Sequence, residues 1–291
     1  MPLEIFLGNA GRLGNAIFRY LAGIIVSLNV NNDDNNDDDD DEIRGESGLR
    51  NSSINKIENN IIVTEKMILD MIHKKKIFIF PLKTRLVLND YYQHEYLPFR
   101  ESIFKFIEKF AEKENHLLIC DNGFSIPVMD ILRRSKVQLK EDKKRYDTVI
   151  HIRIGDFLDN PQFPQRIVIE TRYYFDLFDN IFEDKMKNKK IALVCENPKT
   201  SFEISYVNSI MNYFYEKKAD ITFESNDLQT DFQIIKNAET VICCMSTFSW
   251  TAVFFSDTVK TCYLPDYPVT DFTPWLTMKY PIKNTIHYKF Y

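Results

Sequence analysis

Glycine is scarce in this sequence: there are eight in 291 residues, at positions 8, 11, 14, 23, 45, 48, 123 and 155, with none after Gly155. A Gly-x-Gly-x-x-Gly dinucleotide loop and a Walker phosphate loop both need glycines at fixed offsets, so their absence excludes ordinary nicotinamide-dependent dehydrogenases and P-loop kinases. Cysteine is sparse too. Cys120, Cys195, Cys243, Cys244 and Cys262 are odd in number and form no Cys-x-x-Cys pair, which argues against a disulfide framework and a zinc site and predicts a reducing compartment. No run reaches the roughly 18–20 uninterrupted apolar residues of a membrane helix. The opening MPLEIFLGNAGRLGN carries Glu4 and three glycines where a secretory signal has a basic segment followed by a long apolar one. Together these absences predict a soluble, cytoplasmic protein. A basic balance is lacking as well: the formal net charge is −5, yet residues 31–42 hold eight acids and no Lys or Arg, and without them the remainder stands at +3. A mildly basic body suits an anionic ligand and is far from the balance of a nucleic-acid binder.

What is present is a hydrophobic fraction of 44%, ample for a real core, and a length that suits two domains of ordinary size. The chain is organised around YDTVIHIRIGDF, Tyr146 to Phe157. Its β-branched run, Val149 and Ile150, predicts a buried strand that empties into His151, Arg153 and Asp156. In open α/β sheets ligands bind beyond the carboxyl ends of the strands. Arg153 offers a fork of donors suited to phosphate, His151 donates or accepts at neutral pH, and Asp156 orients either or takes a proton. The same three residues also fit a structural salt bridge of Asp156 with Arg153 at a strand end.

Leu3 to Leu7 reads as a short strand that turns through Gly8, Gly11 and Gly14 into an amphipathic helix with Leu13, Ile17, Leu21 and Ile24 at helical spacing. Glycines between a strand and a helix let an anion approach backbone N–H groups, or merely permit a tight turn. Residues 29–60 are rich in Asn and Asp without apolar periodicity, and predict a solvated, mobile insertion without a fold of its own. Its Asp-x-Asp triplets follow almost automatically from the Asp run, so no metal site is expected there. Ile77 to Phe80 and Leu117 to Cys120 read as strands. Glu101 to Glu112 reads as a helix with Ile103, Phe106, Ile107 and Phe110 on one apolar face. Tyr91 to Tyr96 places aromatics beside amide and carboxylate groups, which suits a sugar or equally a core segment with a polar rim. Lys140 to Arg145, charged at every position, reads as an exposed linker between a domain of residues 1–140 and a second of residues 146–291.

Beyond the central motif the pattern is regular. Tyr173 to Phe182, Ser201 to Tyr215, Asp227 to Asn237 and Thr247 to Phe255 read as helices. Ile191 to Cys195, Ile221 to Glu224, Thr240 to Cys244 and Val259 to Leu264 read as strands, the last of them closing the series. Such alternation predicts an α/β protein with a parallel, doubly wound sheet, and functional residues after the strand ends. Glu196 follows one of those strands. Ser246 and Thr247 follow another and either meet phosphate oxygens or cap the next helix. Asp231 is either a solvated helical carboxylate or an acceptor for donors of a base edge.

Several of these segments, in this order, resemble those of fucosyltransferases that use GDP-fucose, the α-1,2-fucosyltransferases in particular. His151-Ile152-Arg153-Ile154-Gly155-Asp156 is similar to their His-x-Arg-Arg-x-Asp motif, with Ile154 in place of the second arginine. Gly11-Arg12-Leu13-Gly14-Asn15, followed by Phe18 and Tyr20, resembles their Gly-Gly-Leu-Gly-Asn-Gln-Met-Phe-Gln-Tyr signature, with Ala16 replacing the glutamine. Tyr91 to Tyr96 resembles their Gly-Tyr-[Phe/Trp]-Gln-Ser-Glu-Lys-Tyr segment, with His94 for the serine. Cys195-Glu196-Asn197-Pro198 is similar to a Ser/Thr-Asp-Asp-Pro turn, and Ser246-Thr247-Phe248-Ser249-Trp250 to a Ser-Thr-Phe-Ser-Trp-Trp segment in which Thr251 replaces the second tryptophan. Asp231-Phe232 stands where the family has an Asp-Phe pair.

The resemblance implies a GT-B-like fold, two Rossmann-like domains facing a cleft, with the amino-terminal one on the acceptor side. It implies transfer of L-fucose from a GDP-fucose donor to a glycan hydroxyl, in α-1,2 linkage, by an inverting displacement that needs no divalent metal and no further cofactor. Arg153, Asp156 and Asn15 are then catalytic, with Glu95 as second candidate for the base. Gly11, Gly14, Asn15, His151, Arg153, Glu196, Asp231, Ser246 and Thr247 hold the donor, Asp231 by accepting from guanine. Transfer from another GDP-sugar, and binding of nucleotide or glycan without turnover, are the alternatives. The Asn-, Ile- and Lys-rich style is that of an AT-rich genome, such as a protist's or a large virus's.

Overall fold

The computed structural model divides the chain into two compact units, Met1–Arg133 and Arg134–Tyr291. It describes residues 4–7, 13–29, 42–45, 59–74, 84–88, 96–110, 117–119, 125–127, 146–158, 168–182, 189–244, 246–265 and 284–288.

In the amino-terminal unit, β1 (Glu4–Leu7) leads to helix α1 (Leu13–Asn29). β2 (Glu42–Gly45), β3 (Asn59–Ile62), α2 (Glu65–Lys74) and β4 (Thr84–Leu88) follow. The four strands form a parallel sheet in the order β2-β1-β4-β3. A 3₁₀ turn (Leu97–Phe99) opens α3 (Arg100–Phe110), and β5 (Leu117–Ile119) pairs antiparallel with β6 (Ser125–Pro127). Leu7 lies opposite Leu88, so the segments after β1 and β4 leave from neighbouring strand ends.

The expected amphipathic helix is α1, but it is buried on every face: from Leu13 to Val26 all residues except Asn15 are buried. A helix apolar all round belongs inside a core, and α1 packs against α2, α3 and strands β1, β2, β4 and β5. On α3, Ile103, Phe104 and Ile107 are buried, and the side chain of Phe110 lies outside the described residues. Phe104 rather than Phe106 faces inward, and the Arg100 guanidinium lies 4.6 Å over its ring. The stretch 29–60, expected to lack a fold, contains β2 and the start of β3. Four residues suffice there because parallel pairing satisfies the backbone whatever the side chains are. Apart from Asn29, which ends α1, the remainder of that stretch with its Asp run, and likewise Ile77 to Phe80 and Lys140 to Arg145, lie outside the described residues.

In the carboxyl-terminal unit the strands are β7 (Thr148–His151), β8 (Lys190–Val194), β9 (Asp220–Glu224), β10 (Thr240–Ile242), β11 (Thr261–Pro265) and β12 (Thr285–Tyr288). They form one parallel sheet in the order β12-β11-β10-β7-β8-β9. Renumbered within the unit and read from the other edge, this is 3-2-1-4-5-6, the order of Rossmann sheets. The expected α/β class with a parallel sheet is therefore present. The sheet has one more strand than the sequence pattern gives: β12 is a short, polar edge strand with no apolar run to announce it.

Both faces of the sheet are covered, as parallel sheets require. Ile150, Ile191, Leu193, Ile242 and Tyr263 point into one cluster with Tyr173, Tyr174, Leu177, Tyr206, Ile210 and Phe214. Their alternates, Val149, Ala192, Val241 and Cys262, are buried on the opposite face. α4 (Gly155–Leu158) is a single turn, and α5 (Thr171–Leu177) runs on into a π-helical turn at Phe178–Phe182. α6 (Ser201–Glu216) opens with a capping box: Thr200 Oγ1 accepts from Glu203 N–H at 3.2 Å while Glu203 Oε2 accepts from Thr200 N–H at 2.8 Å. It ends without glycine. Lys218 takes φ 59°, donating its N–H to the Tyr215 carbonyl at 2.9 Å while Ala219 N–H reaches the Phe214 carbonyl at 3.0 Å, a Schellman motif with lysine in the left-handed position. α7 (Leu228–Lys236) is capped by Asp227 and α8 (Thr247–Phe254) by Ser246.

Candidate functional site

The order of the six strands reverses between β7 and β10, and His151, Arg153, Ser246 and Thr247 of the expected ligand-binding residues lie at or beyond the ends of these two strands. Such a switch point opens a crevice beyond the strand ends, because the connections leave to opposite sides. Val149 lies opposite Val241 and Ile150 opposite Ile242, which brings the residues after them side by side. His151 Nδ1 stands 3.1 Å from Cys244 Sγ. The imidazole also meets the Phe248 ring, with centroids 5.6 Å apart and planes tilted by 40°. The ladder continues one residue past β7 through Ile152 N–H to the Val194 carbonyl at 2.9 Å, which fixes the backbone just before Arg153.

The electrostatics follow from burial. His151 is 7% exposed, and desolvation, reinforced by the charge of Arg153, pulls its imidazole down to about 3. It is uncharged at neutral pH. Burial likewise pushes the Cys244 thiol well above its ordinary range, with the Arg153 charge opposing, so the thiol keeps its proton. The half-buried Arg153 follows two residues after this neutral imidazole. The amino end of α8 follows β10 at the same place and adds the positive end of a helix dipole.

Ser246 and Thr247 are buried at this end of α8. Ser246 Oγ accepts from Phe248 N–H at 3.2 Å, so its oxygen serves as the helix cap. Glu196, after β8, reaches Gly155: a Cβ placed on Gly155 would lie 3.6 Å from Glu196 Oε2. Ile154, where the resembled motif has its second arginine, is 4% exposed and part of the core cluster, so the site carries one arginine of that motif.

A second polar group sits after β9. Asp231 is 8% exposed, which excludes a solvated helical carboxylate. Its Oδ1 accepts from Asn226 N–H at 3.2 Å and from Asn226 Nδ2 at 3.0 Å. Asn226 Nδ2 also donates to Glu224 Oε2 at 3.1 Å, and Glu224 accepts from the Tyr146 hydroxyl. Burial raises the Asp231 carboxyl to about 6, with the Asn226 hydrogen bonds working against it. Burial, and then the charge of Glu196, raises the Cys195 thiol to about 12.

The structure thus brings His151, Arg153, Ser246 and Thr247 to neighbouring strand ends, with Glu196 beside Gly155 and Asp231 after β9. Gly14 and Asn15 belong to α1 of the amino-terminal unit. Gly11, Glu95 and the side chain of Asp156 lie outside the described residues. Three participants were not singled out in the sequence: Cys244, Phe248 and Asn226. Only the adjacency of β7 and β10 gives the first two away. For Asn226 the signal was its place one residue before the Asp227 cap. Among the described residues no three His, Cys, Asp or Glu side chains gather as metal ligands, and no helix is long and apolar enough to cross a membrane.

No family model matches the sequence, and no curated protein matches it. Among solved structures, a mutant of Arabidopsis thaliana FUT1 in complex with GDP is similar to this chain over 94% of its length and 73% of the other's, at 12% identity and a TM-score of 0.44.

Proposed function

We propose that the carboxyl-terminal unit binds the diphosphate of a GDP-sugar at the β7/β10 switch point and that the protein is a glycosyltransferase, transferring L-fucose to a glycan hydroxyl. The observation that carries this reading is the half-buried Arg153 beside a neutral His151, at the reversal of a Rossmann-ordered sheet, where such sheets take nucleotides. The motif resemblance supplies the donor class, and Asp231 is assigned to the guanine.

In this reading the acceptor hydroxyl oxygen attacks the anomeric carbon from the face opposite the diphosphate. The carbon–oxygen bond to the diphosphate breaks, its electron pair stays on the β-phosphate, and the configuration inverts. Arg153 stabilises the charge that builds on the leaving group, the role a divalent metal has elsewhere. Asp156 takes the hydroxyl proton, with Glu95 as second candidate. Asn15 is assigned to catalysis by sequence resemblance alone. An α-1,2 linkage is the resemblance's implication for the product.

Loss of a charge-assisted contact made mainly in the transition state lowers kcat by about 10²–10³, and that is expected of Arg153→Ala with the melting temperature held. The direct test is GDP release from a panel of GDP-sugars with EDTA present. Release from GDP-fucose alone supports the whole reading. Release from a different GDP-sugar moves the donor, as Ile154, Asn197 and Thr251 at family positions allow. No release and no GDP-dependent rise in melting temperature overturns it.

A further inference from the structure

Arg153 supplies charge in the proposed reaction, while the imidazole two residues before it has a chemistry of its own. His151 ends β7 and Cys244 lies two residues past the end of β10, the two strands at which the order reverses, and the pairing of Ile150 with Ile242 brings these ends side by side. Both are buried, at 7% and 4% exposure, with Nδ1 and Sγ 3.1 Å apart. Phe248 covers the ring.

One hydrogen can lie between those two atoms. Sulfur is a weak acceptor, whereas the unprotonated nitrogen of a neutral imidazole is a good one. A thiol hydrogen given to Nδ1 makes the stronger bond. The reverse arrangement would offer N–H to sulfur, the weaker acceptor. The ring's own proton then resides on Nε2. We propose that Cys244 is a positioning residue: by donating its thiol hydrogen to Nδ1 it fixes His151 as the Nε2–H tautomer, an uncharged donor for an oxygen of a bound nucleotide diphosphate. The tautomer stands on the geometry alone, and the ligand rests on the function proposed above.

The consequence for binding is one of sign. An Nε2–H ring donates to a phosphate oxygen, while the other tautomer would turn a lone pair toward that oxygen and repel it. A neutral donor beside a cationic guanidinium also meets the anion without placing a second charge in a buried position, where an unpaired charge is costly. Cys244 thereby shapes the site while touching none of the reacting atoms.

The test is long-range ¹H–¹⁵N NMR of the histidine rings in the full chain. With five histidines in the sequence, His151→Gln assigns the signal. Wild type and Cys244→Ser, which keeps a donor, are expected as Nε2–H. Cys244→Val, which fills similar space without a donor, is expected as a mixture of tautomers. An Nδ1–H ring in wild type overturns the proposal, as does an unmixed Nε2–H ring in Cys244→Val. GDP titration calorimetry reads the second half: Cys244→Val binds more weakly by the inverse of the Nε2–H fraction that NMR finds, about twofold for an even mixture, and Cys244→Ser recovers most of the loss. Equal affinity of wild type and Cys244→Val overturns the donor role. A wild type with the Nε2–H ring that ignores GDP overturns the nucleotide reading and leaves the tautomer standing.

Discussion

The two units solve the same problem in opposite ways. The amino-terminal unit wraps its elements around a helix, α1, whose residues from Leu13 to Val26 are buried except Asn15. The carboxyl-terminal unit wraps helices around a strand, β7, whose four residues are all buried. A central helix satisfies its backbone within itself and needs only apolar neighbours. A central strand needs partners on both edges and layers on both faces, and its carboxyl end is left pointing at whatever crevice the topology opens. Polar chemistry collects at that end because the fold supplies rigid walls there.

This contrast can be tested, beginning with the largest effect. Leu21→Ala in α1 and Ile150→Ala in β7 each remove a fully buried side chain and should each cost about 2–5 kcal/mol. Hydrogen exchange should place the first loss in α1 to α3 and the second in β7 to β11; equal loss of protection in both sets by either variant would break the comparison.

The pH dependence of stability is expected to separate two buried groups of the second unit. His151 is depressed to about 3 when folded. Below about 6.5 the unfolded chain takes up a proton that the folded one refuses. Its contribution is thus full above pH 6.5 and is lost as the pH falls toward 3. Asp231 is raised to about 6. Its folded form holds the proton more tightly, so its contribution is full below the ordinary carboxylate range and is lost as the pH rises through 6. Urea unfolding across pH 4–6 should therefore show stability falling more steeply with pH in His151→Gln, and falling less or rising in Asp231→Asn.

Smaller effects belong to the helix ends. Thr200→Ala breaks the capping box of α6 and should destabilise by about 1 kcal/mol. Lys218→Gly relieves a left-handed lysine and should stabilise by about 1 kcal/mol, seen as a higher urea midpoint. Tyr215→Ser, on the exposed face of α6 at 56% exposure, should change stability by no more than about 0.5 kcal/mol.

Much of the second unit was legible in the sequence because apolar runs of four or five residues alternate there with helical periodicities bounded by Asp227, Ser246 and Thr200. The strand order was not, since periodicity carries burial and says nothing of adjacency. That is why Arg153 and Ser246 could be marked as strand-end residues while the contact of His151 with Cys244 could not. β12 was missed because an edge strand held by main-chain pairing needs no apolar pattern. In the first unit the spacing of Leu13, Ile17, Leu21 and Ile24 predicts an amphipathic α1. Phe18, Tyr20, Ala22 and Ile25 fill its other faces, and it was their burial that the spacing rule overlooked.

The strand order also sets a timetable for synthesis. β7 is the first strand of its sheet to leave the ribosome, and β8 covers one of its edges about forty residues later. Its other edge waits for Thr240–Ile242 of β10, some ninety residues after β7. Until then the nascent unit carries a half-open central strand, the kind of edge to which other chains add. A chain stalled just before Thr240 should therefore be the most aggregation-prone of a series of truncations.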